Sequence, residues 1–288
     1  MATRKLGRRP PKHAPALRLS RVLTGKAPAH PAAADHFAQV GDWGLYTNDK
    51  YGVCGPTSVA NQRKLVSRYL GGAEQSPTLA DVYDLYRRSG NPTFDPKTGA
   101  GDGGVDMQTM LEALLAGGIG GARPLAFAAV DHSNLDELRA AIAIFGSLLF
   151  GVDLETAQEA QTDAGLWDYR RSGEWGGHAV LAGRYVDTTP DRADRTGVIS
   201  WAQVVDATDA FLQHQLGEAW VVIWPEHLGA RAFQEGVDLA ALAAAYEELT
   251  GRPFPAAPQP APAPGPPPGD VDHVLAQAMR SWLSAKGL

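Results

Sequence analysis

The hydrophobic and polar positions change rhythm about half-way along the chain. In the first half, long mixed stretches end at glycines, as helices do. Gly55 to Leu70 reads as a helix stopped by Gly71-Gly72, and Thr78 with Asp81 opens a second one (LADVYDLYRRS) that ends at Gly90. A third is expected from Val105 to Ala116 before Gly117-Gly118, and Asn134 with Glu137 predicts a capping box for LDELRAAIAIF. In the second half the apolar runs are short and rich in Val, Ile, Leu and aromatics. Leu148 to Leu154, His178 to Val186, Gly197 to Trp201 and Ala219 to Trp224 read as strands, with Asp187 to Thr196 as a hairpin turn. Helices first and strands later predict an α+β architecture rather than alternating βαβ units.

Proline marks the edges. Of 21 prolines, five precede residue 32 and nine lie between Pro253 and Pro268, so the folded body is expected over 41–252. The segment 253–269 predicts an extended polyproline spacer. Beyond it, 270–288 places Val271, Leu275, Met279, Trp282 and Leu283 on one helical face, a docking helix in need of a partner surface. Residues 1–40 form a basic, Pro-containing extended arm.

Charge sharpens that division. The first 34 residues hold eight of the 26 basic side chains and no acid, which leaves 18 basic against 32 acidic residues, near -14, for the rest. Such an arm suits a solvated terminus, a transit peptide, a nucleic-acid-binding arm or a tail docking on an acidic protein surface. No apolar run reaches the 18 or so residues of a membrane span, and no secretory h-region follows the basic cluster, so no membrane association and no secretion are expected. The sole cysteine, Cys54, excludes an internal disulfide and a Cys-based zinc site.

Two segments carry candidate chemistry. In Asn48 to Asn61 (NDKYGVCGPTSVAN), Cys54 lies where a Gly-flanked loop becomes a helix. Unpaired N–H groups and the helix dipole there predict a lowered thiol pKa, as a nucleophile requires. In Glu174 to Arg184 (EWGGHAVLAGR), His178 stands at the mouth of an apolar strand after two glycines, placed to act as base toward a thiol. The other seven histidines have no comparable context. Asp95 to Asp106 (DPKTGAGDGGVD) lacks EF-hand spacing and reads as a surface loop or cleft wall. Trp167, Tyr169 and Trp175 are candidates for a cleft wall, with core packing as the commoner fate. No phosphate loop, metalloprotease motif or dinucleotide fingerprint occurs, so no cofactor and no metal are implied.

Together, Gly52-Val53-Cys54-Gly55-Pro56, Gly177-His178-Ala179-Val180 and Ser200-Trp201 resemble the papain-like cysteine peptidase superfamily, including its C39-like branch and members encoded by tailed phages and prophages. The resemblance covers roughly residues 41–224. It implies a papain-like fold, with the helical half led by the Cys54 helix packed on an antiparallel sheet that carries His178. It implies Cys54 as nucleophile, His178 as general base and Asn48, six residues before the cysteine, as a donor to the oxyanion. One position departs from the pattern. The residue two before Trp201, where the family has an Asn that orients the histidine, is Ile199, leaving Ser200, Gln203, Asp194 and Asp206 as alternatives. The implied activity is thiol-dependent hydrolysis of a peptide or amide bond, on protein or on the peptide part of peptidoglycan. The phage-encoded members imply a cytoplasmic or virion-associated protein that meets other assembly proteins through its arm and terminal helix. The rival expectation is a non-catalytic structural or interaction protein of the virion on the same scaffold.

Overall fold

The computed structural model describes residues 4–25, 29–187 and 194–254. The expected spacer and terminal helix lie outside the described residues from 255 onward, as does most of the 187–196 turn.

The helices are α1 (Cys54–Tyr69), α2 (Leu79–Arg88), α3 (Met107–Gly117), α4 (Leu135–Phe145), α5 (Ala157–Ala164), α6 (Asp209–Gln215), α7 (Arg231–Gly236) and α8 (Leu239–Thr250). The strands are β1 (Ala33–Asp35), β2 (Ala126–Val130), β3 (Leu148–Glu155), β4 (Leu166–Trp167), β5 (Glu174–Val186), β6 (Arg195–Ser200), β7 (Gln203–Thr208) and β8 (Leu216–Ile223). They build one sheet in the order β2-β8-β3-β5-β6-β7-β4, with β1 added against β5. Every pairing is antiparallel except β4 with β7. The architecture is therefore α+β, as the change of rhythm predicts.

Local chemistry explains the helix starts. Thr78 and Asp81 form the predicted reciprocal box, with N–H to oxygen distances of 3.2 and 2.7 Å. Helix α3 starts later than predicted, because Asp106 caps it through the Thr109 N–H at 2.9 Å. The box predicted for α4 is only half made. Asn134 caps the helix, while the Glu137 carboxylate turns away to accept the Asp131 N–H at 3.0 Å.

Strand alternation sorts the core into two layers. Leu149 of β3, with Ala179 and Leu181 of β5, joins a cluster built on α1, α2 and α3. Leu148, Phe150 and Val152, with Val180 and Ala182, join another that holds residues of α4, α6, α7 and α8. Helix α1 is buried on nearly every side, down to Arg63 and Lys64, whose charges end on Glu226 and Asp42. It is pinned to the sheet by the Ser58 hydroxyl, which donates to the Ala179 carbonyl at 3.1 Å. That contact fixes the start of α1 beside the middle of β5.

The basic N-terminal stretch is not a solvated terminus in its described residues. Leu17, Leu19 and Val22 are buried in the core, and the Leu17 carbonyl accepts the Ala129 N–H at 2.8 Å. These apolar residues, spaced among the arginines, outweigh the stretch's charge and hold it to the body. No described helix is long and apolar enough to cross a membrane.

Candidate active site

Cys54 is the first residue of α1, so its N–H has no partner within the helix, and Pro56 in the first turn costs no hydrogen bond. The thiol is fully buried. Backbone N–H groups of Ala179, Gly55 and Gly7 face it. Ala179 follows His178 on β5, so the start of α1 lies beside the stretch of sheet that carries the histidine.

His178 pairs with Val152 of β3 and is also fully buried. Its Nε2 lies 3.0 Å from the Ser200 hydroxyl, while Nδ1 is buried without a partner. A proton on Nε2, donated to Ser200, leaves a lone pair on Nδ1, the form a general base needs. Of the four alternatives for an orienting group, Ser200 is the one bonded to the ring. Gln203 donates to the Thr162 carbonyl at 3.0 Å, Asp206 is ion-paired with Arg184, and the Asp194 carbonyl accepts from Arg195. The Trp201 indole lies flat on the imidazole, 4.1 Å away and 11° from parallel. Its Nε1 donates to the Asn48 carbonyl at 3.2 Å. Asn48 is thereby tied to the same roof, and its side-chain oxygen is buried without a partner.

Two loops that carry these groups hold unusual backbone. Tyr46, Thr47, Trp201 and Ala202 are the non-glycine residues with positive φ among those described. Trp201-Ala202 is the two-residue turn of the β6–β7 hairpin, whose mirror-type geometry favours Asn or Gly. A tryptophan accepts it here and covers His178. Strain of this kind clusters where a side chain must be aimed.

The electrostatics reverse one expectation. Desolvation pushes the Cys54 thiol up to about 11, against which the three N–H groups and the charge of Arg8 pull only partly. Desolvation alone takes His178 down to about 3. The lowered thiol pKa predicted from the helix start therefore does not hold in the packed state, because burial outweighs the helix terminus. As folded, the thiol and the imidazole are both neutral.

What covers the pair is the chain's own N-terminus. The Gly7 carbonyl accepts the Val105 N–H at 2.7 Å, Arg8 N–H donates to Gly177 O at 3.0 Å, and Arg9 N–H donates to Val105 O at 2.7 Å. The approach is so close that a Cβ on Gly7 would meet Gly52 backbone at 2.3 Å, and one on Gly104 or Gly177 would meet the arm's carbonyls at 2.3 Å. Arg8 is buried, with Nε 2.8 Å from Glu218 and Nη1 2.5 Å from Asp153. Neither partner of Arg8 is evident from the sequence around it. One signal was present, since Glu218 is the sole charge in the apolar strand LGEAWVVI.

The remaining candidates are structural. Asp102 accepts the Gly52 N–H at 2.9 Å and the Tyr86 hydroxyl at 2.6 Å, so the glycine-rich loop is a cleft wall whose acids are engaged internally. Trp167 is core, and Tyr169 stacks on His214. Trp175 lies 5.7 Å from Trp201 and extends the roof.

No protein-family model matches the sequence, and no curated protein matches it. Solved structures do. The chain is similar to xylellain, a cysteine protease from Xylella fastidiosa, with a TM-score of 0.57 at 13% identity over 77% of this chain and 97% of that one. It is similar to digestive procathepsin L 3 of Tenebrio molitor (TM-score 0.53, 12% identity, 77% and 76% of the two chains). It is also similar to bromelain from Ananas comosus, solved with the inhibitor E64 (0.52, 12%, 67% and 99%). The fold is that of the papain-like cysteine proteases.

Proposed function

We propose that this protein is a papain-like cysteine peptidase that cleaves a peptide or amide bond through a Cys54 acyl-enzyme. The observation that carries the reading is the joint placement of Cys54 at the start of α1 and His178 on β5. The thiol is held by the N–H of the residue after the histidine, and the histidine's Nδ1 is left without a partner. In the reaction His178 takes the thiol proton as sulfur adds to the substrate carbonyl. The oxyanion is met by the Cys54 N–H and by the Asn48 side chain, worth about 3 kcal/mol per donor in comparable sites. His178 returns the proton to the departing amine. Water, activated by the same ring, then splits the thioester into acid and free thiol. Ser200 acts as a positioning residue, fixing the tautomer without supplying charge.

The test is cleavage of fluorogenic peptides by the Arg8→Ala chain, whose arm has lost its anchor, beside the same chain carrying Cys54→Ser or His178→Ala. Turnover lost in both variants is expected; turnover that survives Cys54→Ser overturns the reading. A second reading, an interaction protein that keeps the scaffold without turnover, is favoured by the neutral pair and by Ile199 at the position of the family's asparagine, which leaves the ring to the uncharged Ser200 hydroxyl. The phage or virion setting belongs to the resemblance alone. Docking of the basic stretch on nucleic acid or a virion partner has a physical competitor, because Arg4 and Arg8 are already paired with Asp163, Asp153 and Glu218.

A further inference from the structure

Arg8 occupies a slot whose chemistry differs from the rest of the cleft. Glu218 lies on β8 opposite Gly151, and Asp153 lies two residues further along β3, opposite Gly177. The Arg8 guanidinium bridges the two carboxylates, and its side chain is 2% exposed. The second oxygen of Glu218 accepts the Trp220 Nε1–H at 2.8 Å, which aims the carboxylate into the slot. A Cβ at Gly217 or Gly151 would crowd the guanidinium at 3.0 and 2.8 Å, so the walls are cut back to the backbone around it. Two acids converging on a planar cation through charged hydrogen bonds are a recognition site for a guanidinium, not a general apolar pocket.

The arm also shows how such a group would be delivered. Gly7 sits at the Cys54 thiol and Arg8 is its neighbour. On the other side Leu6 packs near Gly176, and the Arg4 guanidinium lies 5.4 Å from the Trp201 ring centre. The leaving amine of a substrate must face His178, which Trp201 covers, so residues 4–6 lie on the leaving-group side and Arg8 on the acyl side. A substrate runs with its N-terminal residues on the acyl side. The arm, which enters from Trp201 and leaves toward Val105, runs the opposite way and presents no residue in the cleavable sense.

We propose that the Glu218–Asp153 slot is the specificity pocket of this cleft. It selects peptides with an arginine immediately before the residue whose carbonyl is attacked, and Arg8 fills it in the resting chain. The direction of the substrate rests on the peptidase reading above; the selectivity of the slot for a guanidinium does not.

The experiment uses full-length chains and two readouts. The first is the rate of iodoacetamide alkylation at Cys54, the sole cysteine, followed by intact mass. Arg8→Ala is expected to alkylate at least tenfold faster than the native chain; an unchanged rate overturns the role of Arg8 as anchor. In Arg8→Ala, acetyl-Arg-Gly-amide is expected to protect Cys54 at a concentration at least tenfold lower than acetyl-citrulline-Gly-amide. The two peptides are nearly identical in shape and differ in charge. That preference should disappear in Arg8→Ala/Glu218→Gln and weaken in Arg8→Ala/Asp153→Asn, whose altered acid is largely exposed and safe for folding. Equal protection by the two peptides overturns the proposal with no acid mutated at all. The second readout is hydrolysis of acetyl-Arg-Gly-coumarylamide against its leucine counterpart, with at least a tenfold advantage in kcat/KM expected for arginine. Charge-selective protection without hydrolysis upholds the slot and overturns the peptidase reading. Hydrolysis that favours leucine overturns the slot and upholds the peptidase.

Discussion

The proposed catalytic pair and the acidic slot are neighbours along one arm of chain, yet burial has opposite consequences for them. Cys54 and His178 are sealed without a charged partner in hydrogen-bond contact, so desolvation drives both to their neutral forms. Glu218 is sealed against Arg8. Burial raises its pKa as well, but the guanidinium and the Trp220 N–H oppose the rise and an ion pair is kept. Charge under the arm survives where geometry supplies a counter-charge, and nucleophilic chemistry is silenced where it does not. The same segment thus anchors itself through Arg8 on one side and buries the Cys54 thiol on the other.

Substitutions on either side of the arm separate the two outcomes. Cys54→Ser should reduce peptide hydrolysis by about three orders of magnitude or more, since the hydroxyl is a far weaker nucleophile at its own pKa. Steady-state turnover checks it. Gly7→Val tests the seat of the arm without touching charge. Its Cβ would lie 2.3 Å from Gly52 backbone, so the arm must leave and Cys54 alkylation should rise at least tenfold. Intact-mass kinetics read the rise.

Acid should weaken the fold. Folded His178 titrates near 3 against about 6.5 unfolded, so between those values the unfolded chain binds the extra proton. The stabilisation is complete above about pH 6.5 and falls as pH drops toward 3, by about 1.4 kcal/mol per pH unit. His36 and His227 are lowered by burial too and act in the same direction. Denaturant midpoints from pH 7 to 4 should show the decline, and His178→Gln should flatten it. Smaller effects lie at the edges. Ser200→Ala should lower kcat about tenfold with little change in KM, since the hydroxyl only orients the ring. Thr78→Ala removes half of a capping box that touches none of the proposed catalytic residues and should cost about 1 kcal/mol of stability with little effect on turnover.

What could be read from sequence follows the range of the interactions involved. Helix α1, the Thr78 cap and the strand around His178 depend on neighbours a few residues apart, and the predicted elements sit there. Cys54 and His178 were recognisable because each has a local signature, a Gly-Cys-Gly-Pro turn and a Gly-Gly-His strand entry. Ser200 was one of four alternatives, and only the pleat of β5 against β6 brings its hydroxyl to the ring. Strand β2 (AFAAV) is too alanine-rich to stand out, and β7 (QVVDAT) alternates weakly. Arg8 carries no local signature at all. Its partner Glu218 lies 210 positions away, so it looked like one charge among eight in a basic tail. The thiol pKa was misjudged for the same reason, since the helix start is local and the segment that buries it is not.

A reactive Cys54–His178 pair held neutral by the arm would carry a distinct signature in its reactivity. The most direct measurement is the pH profile of Cys54 alkylation, from pH 5 to 10, in the native chain, in Arg8→Ala and in Arg8→Ala/His178→Ala. Labelling of the native chain should be slow and climb only above about pH 9. Labelling of Arg8→Ala should be fast and persist below pH 7, and that low-pH reactivity should be lost when His178 is also removed. An Arg8→Ala profile that overlays the native one, or one indifferent to His178, would mean that the arm does not hold a reactive pair in check.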